Sequence, residues 1–154
     1  MLITAKVNYG IRAVLELAAL GKPANSDALA SAQGLPPGFL SAILGDLRRA
    51  GILVSQRGAE GGFSLARLPS DITVGEVARA LDFTMTDVGG RLHLKEAAPQ
   101  GASRYLDDVW VAMQWSLREV LDGVTLEHVV SGQFPAWMNR ILVAQEPVLP
   151  SAGA

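Results

Sequence analysis

Hydrophobic residues recur at steps of three and four along positions 5–20 of the chain. The set comprises Val7, Ile11, Val14, Leu15 and Ala18. This spacing places them on one face of an amphipathic helix. Gly21 and Pro23 follow directly and predict where that helix ends.

Two shorter helices are predicted next. The first begins at a cap supplied by Asn25 or Ser26, continues through Ala32 and stops at Gly34. The second lies within "LPPGFLSAILGDLRRAG", where proline is tolerated in the first turn and Gly51 follows the end. Its predicted core-facing stripe consists of Phe39, Leu40, Ile43, Leu44 and Leu47.

The pattern then changes to short apolar stretches separated by glycines. "ILVSQ" and "GFSLAR" predict two strands on either side of a turn that contains Gly58, Gly61 and Gly62, and therefore a β-hairpin. A further helix is predicted within "PSDITVGEVARALD". Thr73 is its expected N-cap, and Glu76 three residues later has the spacing of a capping box.

No clear period is present over residues 83–103, which predicts a long loop. From residue 104 onwards hydrophobic residues alternate four and three apart, as in a helix that packs against another helix. The seam consists of Leu106, Trp110, Met113, Leu117, Val120 and Val124, with Tyr105, Val109 and Ala112 beside it. Because the helix has two adjacent apolar sets, we expect it to pack against two partners, the protein's own core and a second surface. Two shorter helices follow, and residues 147–154 are expected to form a flexible tail.

Composition excludes several classes of function. Of the 154 residues, 49% are hydrophobic and 18% are charged, which is typical of a globular protein. The absence of cysteine excludes disulfides, thiolate metal sites and thiol catalysis. The first 20 residues resemble neither a signal peptide nor a membrane span, which favours a cytoplasmic protein with no membrane partner. We expect no enzyme, because no nucleophile elbow, phosphate loop or metal-ligand pair is recognisable.

The order helix, helix, turn, helix, hairpin is that of a winged helix-turn-helix domain. Its third helix would present Ser41, Ala42 and Arg48 to a major groove, and Arg57 in the wing would reach phosphate or a narrow minor groove. Residues 1–70 carry a net charge of +3 and the remainder −5, a mild indication of a polyanion-binding front half. Single features also have plainer interpretations. The glycines could simply form a tight turn, and Arg48 and Arg49 could compensate the dipole at the C-terminal end of the helix. Together the features favour DNA binding.

Several stretches also resemble the Rrf2 family of bacterial transcriptional regulators. They are "ITAKVNYGIRAVLELA", "FLSAILGDLRRAGILVSQRGAEGGFSLAR", "ITVGEVARALD" and, more loosely, "VWVAMQWSLREVLDGVTLEHVV". The resemblance covers about nine-tenths of the chain. It implies a homodimer that binds a partly palindromic operator, with the long helix around Trp110 at the dimer interface. The fold expected is mainly α with a small β-hairpin wing, that is, a winged helix-turn-helix plus a long C-terminal dimerisation helix.

The helix-turn-helix order and the family resemblance assign residues to two surfaces. The predicted DNA-binding residues are Lys6, Pro37, Gly38, Ser41, Ala42, Arg48, Arg49, Arg57, Gly58, Gly61 and Gly62. The predicted dimerisation residues are Leu106, Val109, Trp110, Met113, Leu117 and Val120. We predict a DNA-binding domain over residues 1–82, a variable and candidate sensor loop over 83–103, and dimerisation and short C-terminal helices over 104–146.

The sequence also departs from the resembled family. Many members hold an iron–sulfur cluster on three cysteines before the dimer helix, whereas this chain has none, so we expect no cofactor and no metal. Asp107 stands where some members place a histidine ligand, and the two histidines, His93 and His128, are too few for a metal site. Ser41 and Ala42 replace a common polar pair in the recognition helix.

We therefore predict a sequence-specific DNA-binding repressor that acts as a homodimer on double-stranded DNA. An effector, if one acts, would be a small molecule or a partner protein. The alternative is a winged helix that has lost specific DNA binding and contacts another protein. The acidic net charge and the small side chains of the recognition helix favour that alternative.

Overall fold

The computed structural model describes residues 3–58, 61–83, 101 and 104–144. Seven α-helices and one two-stranded sheet lie in these ranges. Their bounds are α1 (Ala5–Leu20), α2 (Ser26–Gln33), α3 (Pro37–Arg49), β1 (Leu53–Gln56), β2 (Gly62–Leu65), α4 (Val74–Ala80), α5 (Leu106–Gly123), α6 (Leu126–Ser131) and α7 (Ala136–Val143). A 3₁₀ turn at Pro69–Asp71 precedes α4. None of these helices is long and apolar enough to cross a membrane.

The predicted bounds of the first helices are confirmed, and their caps explain them. The Thr4 side chain accepts a hydrogen bond from the Val7 amide at the start of α1, and Gly21 ends the helix at φ +62°. Asn25 rather than Ser26 caps α2, because its Oδ1 accepts from the Ala28 amide at 2.7 Å. Polar caps of this kind satisfy amides that have no partner within the helix.

The core lies between α1, α2, α3, α4 and the first residues of the hairpin. Its buried side chains include Val7, Val14, Leu17, Leu29, Leu40, Ile43, Leu44, Leu47, Ile52, Leu53, Ile72, Val77, Leu81 and Leu126. Four of the five residues predicted for the stripe of α3 are therefore buried. Phe39 is not, since 45% of it is exposed and its ring packs edge-on against Tyr9 with centroids 5.8 Å apart.

The predicted hairpin is present and is joined to the turn between α1 and α2. β1 and β2 are antiparallel, with Leu53 opposite Leu65 and Gln56 opposite Gly62. Ala24 adds an isolated bridge: its amide donates to the Phe63 carbonyl at 3.0 Å, and the Phe63 amide donates back at 2.8 Å. These two bonds fix the orientation of the wing relative to the helices.

The capping box predicted for α4 is only half formed. The Thr73 hydroxyl accepts from the Glu76 amide at 3.1 Å, as expected. The Glu76 carboxylate, however, pairs with Arg67 in the loop after the hairpin. A complete box occurs instead at α6, where Thr125 and His128 exchange side-chain to backbone hydrogen bonds.

Near its C-terminal end, helix α5 packs on α4 of the winged domain. Arg79 of α4 pairs with Asp122 at 2.7 Å, and α4 comes so close that a Cβ on Gly75 would lie 3.0 Å from Leu121. The predicted seam extends to Val124, but the helix ends at Gly123, and Val124 is buried beyond it.

The chain after α5 returns to the core of the winged domain. Thr125 forms an isolated bridge with Thr73, and the Leu126 side chain belongs to the same core as α1. Most of residues 83–103 and all of the predicted tail lie outside the described ranges.

Candidate DNA-binding surface

The outward face of α3 is made of very small side chains. Gly38, Ser41 and Ala42 are exposed, and Gly45 is half-buried beside them. Nothing lies within 4 Å of a Cβ built on Gly38. Pro37 supplies the first residue of the helix, where a missing amide is tolerated. A face this smooth lets the helix backbone come close to a flat or concave partner such as a major groove.

Arg48 connects the end of α3 to the wing. Its Nη1 donates a hydrogen bond to Ser55 Oγ in β1 at 3.2 Å. Because Ser55 is uncharged, this contact does not compensate the positive charge of the guanidinium at the junction of helix and hairpin.

The wing supplies a second basic group and three glycines, two with a positive φ and one at a position without space for a side chain. Arg57 follows β1 directly and is exposed, and it belongs to none of the ion pairs among the described residues. Gly58 and Gly62 have φ values of +118° and +147°, which only glycine adopts easily. A Cβ on Gly61 would lie 2.5 Å from the Gln56 carbonyl oxygen, so this position needs glycine for space.

On the opposite flank of α3, four charged side chains form what we call the flank cluster: Lys6, Asp46, Arg49 and Asp82. Lys6 Nζ lies 2.8 Å from Asp46 Oδ2 and 2.7 Å from Asp82 Oδ2. Arg49 pairs with the other oxygen of Asp46. The cluster joins the start of α1, the end of α3 and the turn after α4, where Asp82 has a φ of +65°.

Proton affinities in the flank cluster follow from these contacts. The pKa of Lys6 is raised, chiefly because its ammonium donates a hydrogen bond to Asp46 and secondarily because it donates one to Asp82. The pKa of Asp46 is lowered, chiefly by the same bond from Lys6. Both shifts favour the charged forms of Lys6 and Asp46 at neutral pH.

Two of the four predicted DNA-binding cations are thus neutralised within the protein. Lys6 and Arg49 share carboxylate partners, whereas Arg48 and Arg57 do not among the described residues. No local sequence pattern indicates this difference, because Asp46 and Asp82 lie 40 and 76 residues from Lys6 in the chain. Of these four cations, the two without a carboxylate partner among the described residues, Arg48 and Arg57, therefore belong to the wing side of α3.

The residues predicted for dimerisation share one face of α5. Leu106, Val109 and Met113 are exposed, and Trp110, Leu117 and Val120 are half-buried; no residue of α5 is fully buried. Val109 is 58% exposed, and Trp115 on the opposite side of the helix is 62% exposed. A helix with so much uncovered apolar surface is typical of a protein–protein interface.

Histidines and carboxylates do not assemble a metal site in the described ranges. His128 Nδ1 accepts a hydrogen bond from the Thr125 amide at 3.1 Å, a capping role that the sequence analysis did not predict. His93 lies outside the described residues. No group of three His, Asp or Glu with metal-binding geometry occurs among those that are described.

Comparison with known proteins places these features in a family. The family model described as "Rrf2: Iron-dependent Transcriptional regulator" matches residues 3–132. The HTH-type transcriptional regulator CymR of Bacillus subtilis is 33% identical over 146 residues, covering 92% of this chain and all of CymR. Rv1287 of Mycobacterium tuberculosis, also named as an HTH-type transcriptional regulator, is 39% identical over 143 residues, covering 92% of this chain and 88% of its own length.

Solved structures agree with the sequence comparison. The structure of Bacillus subtilis CymR, described as a global cysteine regulator, matches with a TM-score of 0.72 and 27% identity, over 86% of this chain and 98% of that one. IscR of T. potens matches with a TM-score of 0.65 and 30% identity, over 90% and 96% of the two chains. The predicted mainly helical fold with a hairpin wing is confirmed.

The family description mentions iron, but the donor set of this chain does not fit a thiolate-bound iron centre. The sequence contains no cysteine. Asp107, which stands where some relatives have a histidine ligand, is an exposed residue in the first turn of α5. We therefore derive no role for iron.

Proposed function

Because the chain belongs to the Rrf2 family and is a DNA-binding transcriptional regulator, we propose that it acts as a homodimeric repressor on a partly palindromic operator. The observation that supports this most strongly is one continuous surface. It runs from the small outward face of α3, through the Arg48 to Ser55 contact, to the exposed Arg57 of the wing.

In this proposal α3 enters the major groove with Gly38, Ser41 and Ala42 nearest the bases. Ser41 can donate to or accept from several base edges, and Ala42 can contact a thymine methyl group. Neither discriminates strongly, so much of the sequence preference falls to Arg48 and the wing. Arg57, between strand and glycine turn, would enter a narrow minor groove, where the negative potential is deepest.

The second part of the proposal is that α5 pairs with α5 of another copy. The exposed Leu106, Val109 and Met113 would be covered, together with the half-buried remainder of the seam. A twofold axis between two such helices would place two winged domains on half-sites separated by about one turn of DNA. The same axis explains why the operator should be partly palindromic.

A ligand or partner protein would change DNA binding by favouring one orientation of the two winged domains over another. The candidate sensor loop, residues 83–103, lies almost entirely outside the described ranges. We also propose a cytoplasmic location, where a regulator of this kind would meet its operator.

A mobility shift tests the proposal. The probe is a duplex that spans the region upstream of the protein's own gene, and the control is a shuffled duplex of equal composition. Binding to each duplex is measured at two salt concentrations. We expect a complex with two chains per duplex and at least about 10³-fold preference for the true sequence. Equal, weak binding to both duplexes would favour a winged helix that contacts protein instead. Transcription from the same fragment, with and without the protein, then separates repression from activation.

A further inference from the structure

We propose that Asp46 and Asp82 are specificity-determining residues, which hold Lys6 and Arg49 and thereby weaken binding to the phosphates of nonspecific DNA. The inference rests on the proposed placement of α3 against DNA. It concerns two carboxylates on a surface whose other predicted contacts are basic or neutral.

The position of Asp46 is the first reason. It lies four residues after Ala42 and three before Arg49, so the three residues share one flank of α3. Its side chain is only 25% exposed, because Lys6 and Arg49 hold its two oxygens. A DNA phosphate approaching this flank would therefore meet two cations that already have an anionic partner.

The balance of charge is the second reason. The flank cluster contains two cations and two carboxylates, whereas Arg48 on the other flank binds the neutral Ser55. A phosphate that takes Lys6 from Asp46 replaces one carboxylate contact of 2.8 Å with another anionic contact, so the net gain is small. The lowered pKa of Asp46 keeps this competitor ionised throughout the neutral range.

The two carboxylates should not act equally. Asp46 holds both cations, while Asp82 holds only Lys6 and is 84% exposed, so solvent screens it more strongly. Removing the charge of Asp46 frees Arg49 and leaves Lys6 with one carboxylate partner, Asp82. Removing that of Asp82 leaves the bond from Lys6 to Asp46 in place. We therefore expect the loss of the Asp46 charge to strengthen nonspecific DNA binding more than the loss of the Asp82 charge.

The test is fluorescence anisotropy with a shuffled duplex, titrated from roughly 50 to 200 mM salt. Asp46→Asn should steepen the slope of log affinity against log salt by about 1–2 and tighten low-salt binding by roughly three- to tenfold, since each newly contacted phosphate adds about 0.9 to the slope. Asp82→Asn should also steepen the slope and tighten low-salt binding, but by smaller amounts. Asp122→Asn, which removes an ion-paired carboxylate of α5 with the same change in net charge, should change neither.

Lys6→Gln completes the test. In the otherwise wild-type protein, Lys6→Gln should weaken nonspecific binding only slightly. In the Asp46→Asn background, it should remove a large part of the increase in affinity for the shuffled duplex. The proposal is overturned if Asp46→Asn matches Asp122→Asn, or if Lys6→Gln weakens binding equally in both backgrounds. Should Asp46→Asn fail to fold, Asp82→Asn alone and with Lys6→Gln tests the hold on Lys6 with a smaller expected effect, and equal binding by Asp82→Asn and Asp122→Asn then overturns the proposal. Operator binding by the wild-type protein is measured on a separate duplex, and its absence would refute the proposed function instead.

Discussion

Gly62 lies directly against the backbone of Ala24. A Cβ on residue 62 would come within 2.4 Å of both the carbonyl carbon and the oxygen of Ala24, and the residue has a φ of +147°. The next residue, Phe63, exchanges two hydrogen bonds with Ala24. The glycine turn thus does more than close a hairpin, because it lets the wing dock against the turn between α1 and α2.

A set of glycine-to-alanine substitutions should separate close approach from backbone strain. Gly62→Ala should lower the free energy of unfolding the most, by more than the roughly 1–3 kcal/mol expected for a strained residue alone. Gly58 has a positive φ but open space, so Gly58→Ala should show the strain only. Gly38 has neither constraint and lies in the first turn of α3, so Gly38→Ala should be neutral or slightly stabilising. Urea unfolding measures all three. Equal effects at Gly62 and Gly58 would show that the wing does not dock as described.

Leu117→Glu should abolish the proposed dimer, because it places a charge in the middle of the apolar seam of α5. The measurement is sedimentation velocity, with circular dichroism to confirm folding. Trp115→Glu is the matched control, since it changes an exposed residue on the opposite face of the same helix. A folded dimer of unchanged affinity in Leu117→Glu would exclude this seam as the interface.

Arg57→Ala should weaken operator binding by about 1–3 kcal/mol without loss of stability, if the side chain makes a specific contact. The reason is its exposed position between β1 and the glycines of the wing. Arg140→Ala, which removes an exposed arginine of α7, controls for the change in charge. Wild-type affinity of Arg57→Ala at matched salt would show that the wing does not contact the operator through this residue.

Local patterns were sufficient to predict most of the fold. The spacing of Val7, Val14 and Leu17 sets α1, and the glycines on both sides of Glu60 set the hairpin. Interactions between distant residues were not predictable. The flank cluster brings together Lys6, Asp46 and Asp82, and no periodicity or short motif records that proximity. The bridge from Ala24 to Phe63 was missed for the same reason.

Caps show how a tertiary contact can override a local motif. Thr73 and Glu76 have the spacing of a capping box, but Arg67 attracts the Glu76 carboxylate, and the reciprocal bond is lost. At α6 none of the ion pairs among the described residues involves His128, and it completes the box with Thr125. Phe39 also departs from its predicted place, since helical spacing assigns it to the core, whereas it is 45% exposed with its ring edge-on against Tyr9.

Thiol chemistry should have no effect on DNA binding. Diamide treatment and reducing agents act on cysteine, and this chain contains none. Iron chelators should likewise leave operator affinity unchanged, because the thiolate ligands of an iron–sulfur cluster are absent. Mobility shifts with treated and untreated protein provide the measurement. A chelator-dependent loss of affinity, reversed by adding iron, would require a site built from other ligands.

In the proposed complex, two winged domains occupy adjacent half-sites of one operator, with α3 in the major groove and the wing in the minor groove. Hydroxyl-radical footprinting on the fragment identified by mobility shift tests this claim. We predict two protected segments related by twofold symmetry and centred about 34–36 Å apart or a multiple of that distance. Arg57→Ala should lose the minor-groove part of each segment. A single asymmetric footprint, or no protection at concentrations that saturate the mobility shift, would contradict the claim.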